Sequence, residues 1–212
     1  MIKHYIISIL GLLLLSLSVF AQPRLEVPEL YFGFHGGAVA GMMRFSPTVQ
    51  QSAKSPLLGG TGGLVFRYGN TKFTAVQLEL NYLQRGWHET ATDYTRHLDY
   101  IEIPLLMHLY FGKQVRGFLN LGPEFGYCIA QYDKNGENLS GPQYEPIEKP
   151  WDWGLAAGLG MQVNAKRAGA YFLEVRFDFS FGDVFSNRAT DYFRNSAPMA
   201  LSLNLGWMWY RQ

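Results

Sequence analysis

The stretch Ala168–Gly182, AGAYFLEVRFDFSFG, carries two interleaved sets of residues. Its odd positions are Gly169, Tyr171, Leu173, Val175, Phe177, Phe179 and Phe181; between them stand Glu174, Arg176, Asp178 and Ser180. Successive side chains of a β-strand point to opposite faces, so this alternation builds one apolar and one charged face, where a helix would mix the two sets all round. Pro198–Tyr210 repeats the pattern. Met199, Leu201, Leu203, Leu205, Trp207 and Trp209 alternate with Ala200, Ser202, Asn204, Gly206 and Tyr210, and Met208 is the one intruder.

Working outward, the same period predicts further strands. Val76, Leu78, Leu80 and Tyr82 oppose Gln77, Glu79 and Asn81, and Ile101 to Phe111 at odd positions oppose Tyr100, Glu102, Pro104 and His108. Leu119, Leu121, Phe125, Tyr127 and Ile129 oppose Asn120, Gly122, Glu124, Gly126 and Cys128, and Leu155 to Val163 oppose Gly154, Ala156, Gly158, Gly160 and Gln162. Leu64, Phe66 and Tyr68 make a shorter strand with Arg67 on its other face. A first strand from about Tyr31 to Met43 has its pattern weakened by Gly33, Gly36, Gly37 and Gly41. Eight strands result.

The connections alternate in length. Gly69–Lys72, Gly112–Gln114 and Ala165–Arg167 suit hairpins, whereas Phe45–Gly59, Gln84–His97, Gln131–Trp151 and Asp183–Ala197 are long. In an antiparallel up-and-down sheet this puts the long loops at one end and the short turns and both termini at the other, the polarity of outer-membrane barrels. The expected fold is therefore an all-β, eight-stranded antiparallel up-and-down transmembrane barrel. A soluble lipocalin-like carrier would instead turn its apolar face inward around a ligand. Volume favours lipid, because the apolar face is rich in Leu, Phe, Tyr and Trp, the polar face in Gly, Ala and Ser, and an eight-stranded lumen holds only modest side chains. Tyr68, Phe111, Tyr171, Trp207 and Trp209 near the turns, with Tyr82, Tyr127 and Phe181 near the loops, read as two interfacial girdles.

The amino terminus reads as a targeting segment. Lys3 and His4 precede an uncharged run from Tyr5 to Phe20, and Val19-Phe20-Ala21 resembles a signal-peptidase site, so residues 1–21 are expected to be a cleaved secretory signal and 22–212 the barrel. Removing Lys3 leaves equal numbers of basic and acidic residues. The whole chain of 212 residues has a net charge of only +1, which offers no basic field for nucleic acid, and 17% charged with 16% aromatic residues argue against disorder. A single cysteine, Cys128, excludes an intrachain disulfide and a cysteine zinc cluster.

Three segments resemble a known family: Leu98-Asp99-Tyr100-Ile101-Glu102-Ile103-Pro104-Leu105-Leu106, Leu121-Gly122-Pro123-Glu124-Phe125-Gly126-Tyr127, and Trp153-Gly154-Leu155-Ala156-Ala157-Gly158-Leu159-Gly160. They are similar to the PorT-like outer-membrane β-barrel family of Bacteroidota, and the likeness extends over the mature chain. The resemblance implies an eight-stranded barrel in the outer membrane of a Gram-negative bacterium, without an assigned activity.

Candidate chemistry concentrates on the inward face. Arg67, Glu79, Glu102, His108, Glu124, Glu174, Arg176 and Asp178 are expected to form a structural polar network in the lumen; an ion path or proton relay is the competing reading. His88 and His97, with Glu89, Asp93 and Asp99 nearby, could belong to a lipid-modifying enzyme at the outer rim, but no nucleophile, base and orienting acid fall together. Gly59-Gly60-Thr61-Gly62-Gly63 lacks the Lys-Ser/Thr of a phosphate loop and reads as glycines entering a curved strand. Cys128 reads as a small lumen filler. No catalytic residue, metal or cofactor is expected. The expected partners are outer-membrane lipid and a protein or surface ligand of the long loops, for a monomeric barrel with a structural or surface-interaction role and a closed lumen.

Overall fold

The computed structural model describes residues 24–46, 54–90, 93–134, 147, 149–165, 168–182 and 195–211. The expected signal segment lies outside the described residues, as do parts of all four long loops and of the Ala165–Arg167 turn. Eight strands run in chain order: β1 Arg24–Ser46, β2 Lys54–Thr71, β3 Thr74–Glu89, β4 Tyr94–Gly112, β5 Val115–Lys134, β6 Trp151–Asn164, β7 Ala170–Ser180 and β8 Asn195–Arg211. Each pairs antiparallel with the next, and β8 returns to β1 from Leu30↔Arg211 to Ser46↔Asn195. Closure leaves no sheet edge along the wall, which matters where no water can satisfy a free backbone group.

Alternation decides which face is inside. On β7, Tyr171, Leu173, Val175 and Phe177 are exposed, while Phe172, Glu174, Arg176 and Asp178 are buried. Leu205 is 65% exposed and Glu174 0%, so the apolar set faces outward and the lipocalin-like inversion is rejected. From Tyr171 to Phe181 about ten steps of ~3.4 Å, tilted by ~40°, give an apolar band of roughly 26 Å, the height a membrane barrel needs. Met208 breaks the apolar alternation of β8 because it points inward, fully buried in the lumen.

Most strands outrun their sequence-based limits at the loop end. β2 begins at Lys54 instead of near Leu64, with Lys54 paired to Glu89. The expected long loop Gln84–His97 is mostly ladder, closing at Glu89↔Tyr94. β5 runs on to Lys134, paired with Thr95, and β8 starts at Asn195. The cause is physical: beyond the apolar band neither face has to be apolar, so alternation fades while backbone pairing continues. The run Gly59–Gly63 lies wholly inside β2, opposite His35 to Val39. A β2–β3 register shift between Pro56 and Thr61 falls across it.

Small inward residues make room for large ones. A Cβ on Gly206 would strike the Phe172 ring, and one on Gly158 would overlap Glu174 Oε1.

A candidate functional site in the lumen

The inward face carries its side chains in tiers that run from the turn end to the loop end. At the turn end Tyr31, Val65, Ala75, Tyr110, Phe118, Ala170, Phe172 and Met208 form one buried cluster. Arg67 sits within it, donating from Nε to Gln77 Oε1 at 2.6 Å and from Nη1 to Gln162 Oε1 at 2.5 Å. Its guanidinium also lies 5.6 Å from the centre of the Tyr31 ring and 5.8 Å from that of Phe118. This cation is therefore held by amide oxygens and ring faces. His108 packs 4.9 Å from Phe118, centre to centre, and its Nδ1 lies 2.6 Å from Asn120 Oδ1. Below this tier, Arg116 makes a two-pronged bond to Glu29 at 2.6 and 2.8 Å.

The middle tier is ionic. Arg176 donates through Nη1 and Nη2 to the two oxygens of Glu79 at 2.6 and 2.7 Å, and through Nη2 to Glu174 Oε2 at 2.8 Å. Asn81 donates to Glu79 Oε2 at 2.8 Å, Asn120 to Glu174 Oε1 at 2.7 Å, and Gln77 also donates to Glu79. His35 closes the set, with Nε2 2.9 Å from Asn81 Oδ1. Each carboxylate thus accepts from the arginine and from at least one amide, which offsets the cost of removing charge from water.

Towards the loop end a second arginine gathers acids. Arg85 Nη2 is 2.6 Å from Glu102 Oε1 and 3.6 Å from Glu124 Oε1, and Nη1 donates to Asp152 Oδ2 at 3.0 Å. Ser180 donates to the same Asp152 oxygen at 2.5 Å, and Asp178 is buried on the same inward face. Above lies an aromatic group of Met43, Trp87, Tyr94, Leu98 and Tyr100. Arg96 spans it, 5.7 Å from the Trp87 ring centre and 5.9 Å from that of Tyr94, and clamps Asp133 through two bonds of 2.6 Å. Tyr94 belongs to the extended hairpin beyond the apolar band; burial raises its phenol above the usual value and keeps it a neutral hydroxyl.

All eight residues singled out from sequence are buried and inward; six of them fall into the middle and loop-end groups, and Arg67 and His108 lie among the turn-end rings. Sequence reasoning missed Arg85, Asp152, Gln77, Asn81, His35, Asn120 and Gln162 as partners. The signal for Arg85 was present: it continues the series Gln77, Glu79, Asn81 by steps of two, past the point where the apolar face gives out at Tyr82. Asp152 likewise precedes Gly154 on the same face.

The rim histidines are not loop residues. His88 and Thr95 face each other across the β3–β4 ladder, 2.9 Å apart at Nδ1 and Oγ1, and His97 pairs with Gly86. Among the described residues no group of three or more His, Cys, Asp or Glu is placed to hold a metal ion. Alanine at His88 is expected to move the urea midpoint by no more than about 1 kcal/mol of stability, the worth of one partly exposed hydrogen bond. Cys128 is half-buried against the loop-end aromatic group, and its thiol donates to Ala130 O at 3.4 Å.

Comparison with known proteins agrees with this architecture. The outer membrane protein OprG of Pseudomonas aeruginosa superposes with a TM-score of 0.60 at 10% identity, over 90% of this chain and 98% of that one. Outer Membrane Protein W of E. coli gives 0.43 at 18% identity, covering 82% of this chain and 96% of that one. Ail of Yersinia pestis gives 0.44 at 12% identity, over 84% and 98%. No curated protein matches the sequence. A family model described as an outer membrane protein beta-barrel domain matches residues 20–186. That match takes in the first seven strands and the ionic lumen, and the chain belongs to this outer-membrane β-barrel family.

Proposed function

We propose that this protein is a monomeric outer-membrane barrel whose polar lumen is closed to solute flow and whose role is structural or surface-interacting, with no catalytic site. The observation that carries the reading is the ordering of the lumen: two buried ionic groups around Arg176 and Arg85, bracketed by the Phe118 and Trp87 aromatic groups. An ion entering from either end would meet close-packed rings and then charges already engaged with one another. The long loops are where a protein or surface partner would bind. The PorT-like, Bacteroidota affiliation and removal of residues 1–21 on export belong to the same reading, supported by the quoted motifs and the Tyr5–Phe20 run.

Planar-bilayer recording tests it. Purified protein is expected to give no stable single-channel openings across a wide range of voltage. Regular openings whose cation preference changes with Glu102→Gln would replace the closed lumen with an acid-lined pore.

A further inference from the structure

We infer that the turn end of the barrel binds an anionic glycerophospholipid of the inner leaflet, its acyl chains lying in two grooves of the outer wall and its phosphate met by Lys72 and Lys113. The proposal rests on the reading of the chain as an outer-membrane barrel with its short turns on the periplasmic side, and adds to it a place and a head-group class.

The wall is not uniform on its lipid side. One groove of about 580 Å³ runs over β4–β7 between Phe111, Val115, Leu159, Met161, Leu173 and Val175. It passes Gly117, which the Phe111 ring overlies so closely that a Cβ there would sit 2.5 Å from Phe111 Cζ. A second, of about 450 Å³, runs over β2–β5 between Tyr68, Val76, Leu105, Met107, Leu121 and Pro123. Both have the volume of ligand pockets. Both are apolar and open along a lipid-facing wall, which suits a hydrocarbon chain better than a soluble ligand.

Each groove runs out at a hairpin turn carrying a lysine. The first meets the β4–β5 turn with Lys113, the second the β2–β3 turn with Lys72. Both lysines are exposed, and neither joins an ion pair among the described residues, in contrast to Arg116, which Glu29 engages. Exposed Phe73 and Phe111 stand beside them, at the depth where aromatic side chains mark the head-group boundary.

Charge separates the inner leaflet from the outer as the source. Among the described side chains the turn end carries Lys72, Lys113 and Arg116 against Glu29 alone, so positive charge collects where the short turns lie. Screening confines each charge to within about 10 Å at ordinary ionic strength, so a phosphate must lie at the turn end to profit.

Native mass spectrometry of the full-length exported protein, released from bilayers of equal phosphatidylglycerol and phosphatidylethanolamine, provides the test. Wild type is expected to retain phosphatidylglycerol in preference by about five-fold for each lysine engaged. The pair Lys72→Gln and Lys113→Gln should bring the ratio close to one, and Lys72→Arg with Lys113→Arg should restore it. Val115→Trp, which fills one groove and leaves the charges in place, should lower the number of retained lipids. Equal retention of both lipids by wild type, or a preference that survives loss of both lysines, overturns the proposal. Heat-modifiable migration on gels is read in parallel: wild type without it removes the barrel reading and the lipid site with it, whereas a normal shift with no lipid preference removes the lipid site alone.

Discussion

Replacing Arg85 with leucine is expected to lower the stability of the folded barrel by about 3–5 kcal/mol, the usual cost of breaking a buried ion pair from one side. Arg85 is 2% exposed and is the cation at the centre of Glu102, Glu124 and Asp152. Leucine fills much of the space but leaves those carboxylates facing one another with water excluded. Against a typical stability of about 5–15 kcal/mol, the loss should show as a large fall in the urea midpoint and a reduced heat-modifiable fraction. Adding Glu102→Gln to Arg85→Leu should recover part of the loss, because it removes the charge nearest the vacated guanidinium. A double-mutant cycle should then give a coupling of about 0.5–3 kcal/mol. Independent, additive effects of the two substitutions would mean that the 2.6 Å contact is not energetically significant. Arg176 provides a comparison: its partners Glu79 and Glu174 also accept from Asn81 and Asn120, so each carboxylate there keeps a donor when the arginine is lost.

These two arginines also show how far the sequence could be read. Arg176 lies in the middle of the most regular alternation in the chain, flanked by Val175 and Phe177, so its inward direction followed from its neighbours. Arg85 lies three residues past Tyr82, where the outward parity falls to Gln84 and Gly86 and the apolar Leu83 and Trp87 share Arg85's own face, so no apolar outward set marks the direction. The barrel, its strand count and the inward set were legible because lipid imposes a strict two-residue period. The upper halves of β2, β3, β4 and β5 were not, since pairing above the membrane is set by the backbone ladder and by a few packed residues such as Trp87 and Leu98. Which acid meets which base was hidden for another reason. Arg176 reaches Glu79 across a separation of 97 residues, and that contact depends on the register of all the strands around the closed wall.

Val175→Arg is expected to cost about 2–4 kcal/mol when the protein folds into bilayers, although the next residue in the chain is already an arginine. Val175 lies near the centre of the Tyr171–Phe181 band and is 48% exposed on the outer face, where an arginine would have hydrocarbon around it and no carboxylate within reach. Arg176, one step on and on the other face, has two carboxylates at bonding distance. The contrast isolates direction from depth. Depth enters through a second variant, Tyr171→Arg at the turn-end girdle, where the cost should fall to about 0–1 kcal/mol because the guanidinium can reach the head groups. Urea titrations of the two variants in the same lipid measure both. An equal cost at the two positions would contradict the assignment of this face to lipid, since packing against protein has no such gradient with depth. A large cost at Val175 beside a small one at Tyr171 is specific to a wall facing hydrocarbon, because only there does distance from the head groups decide the price of a charge.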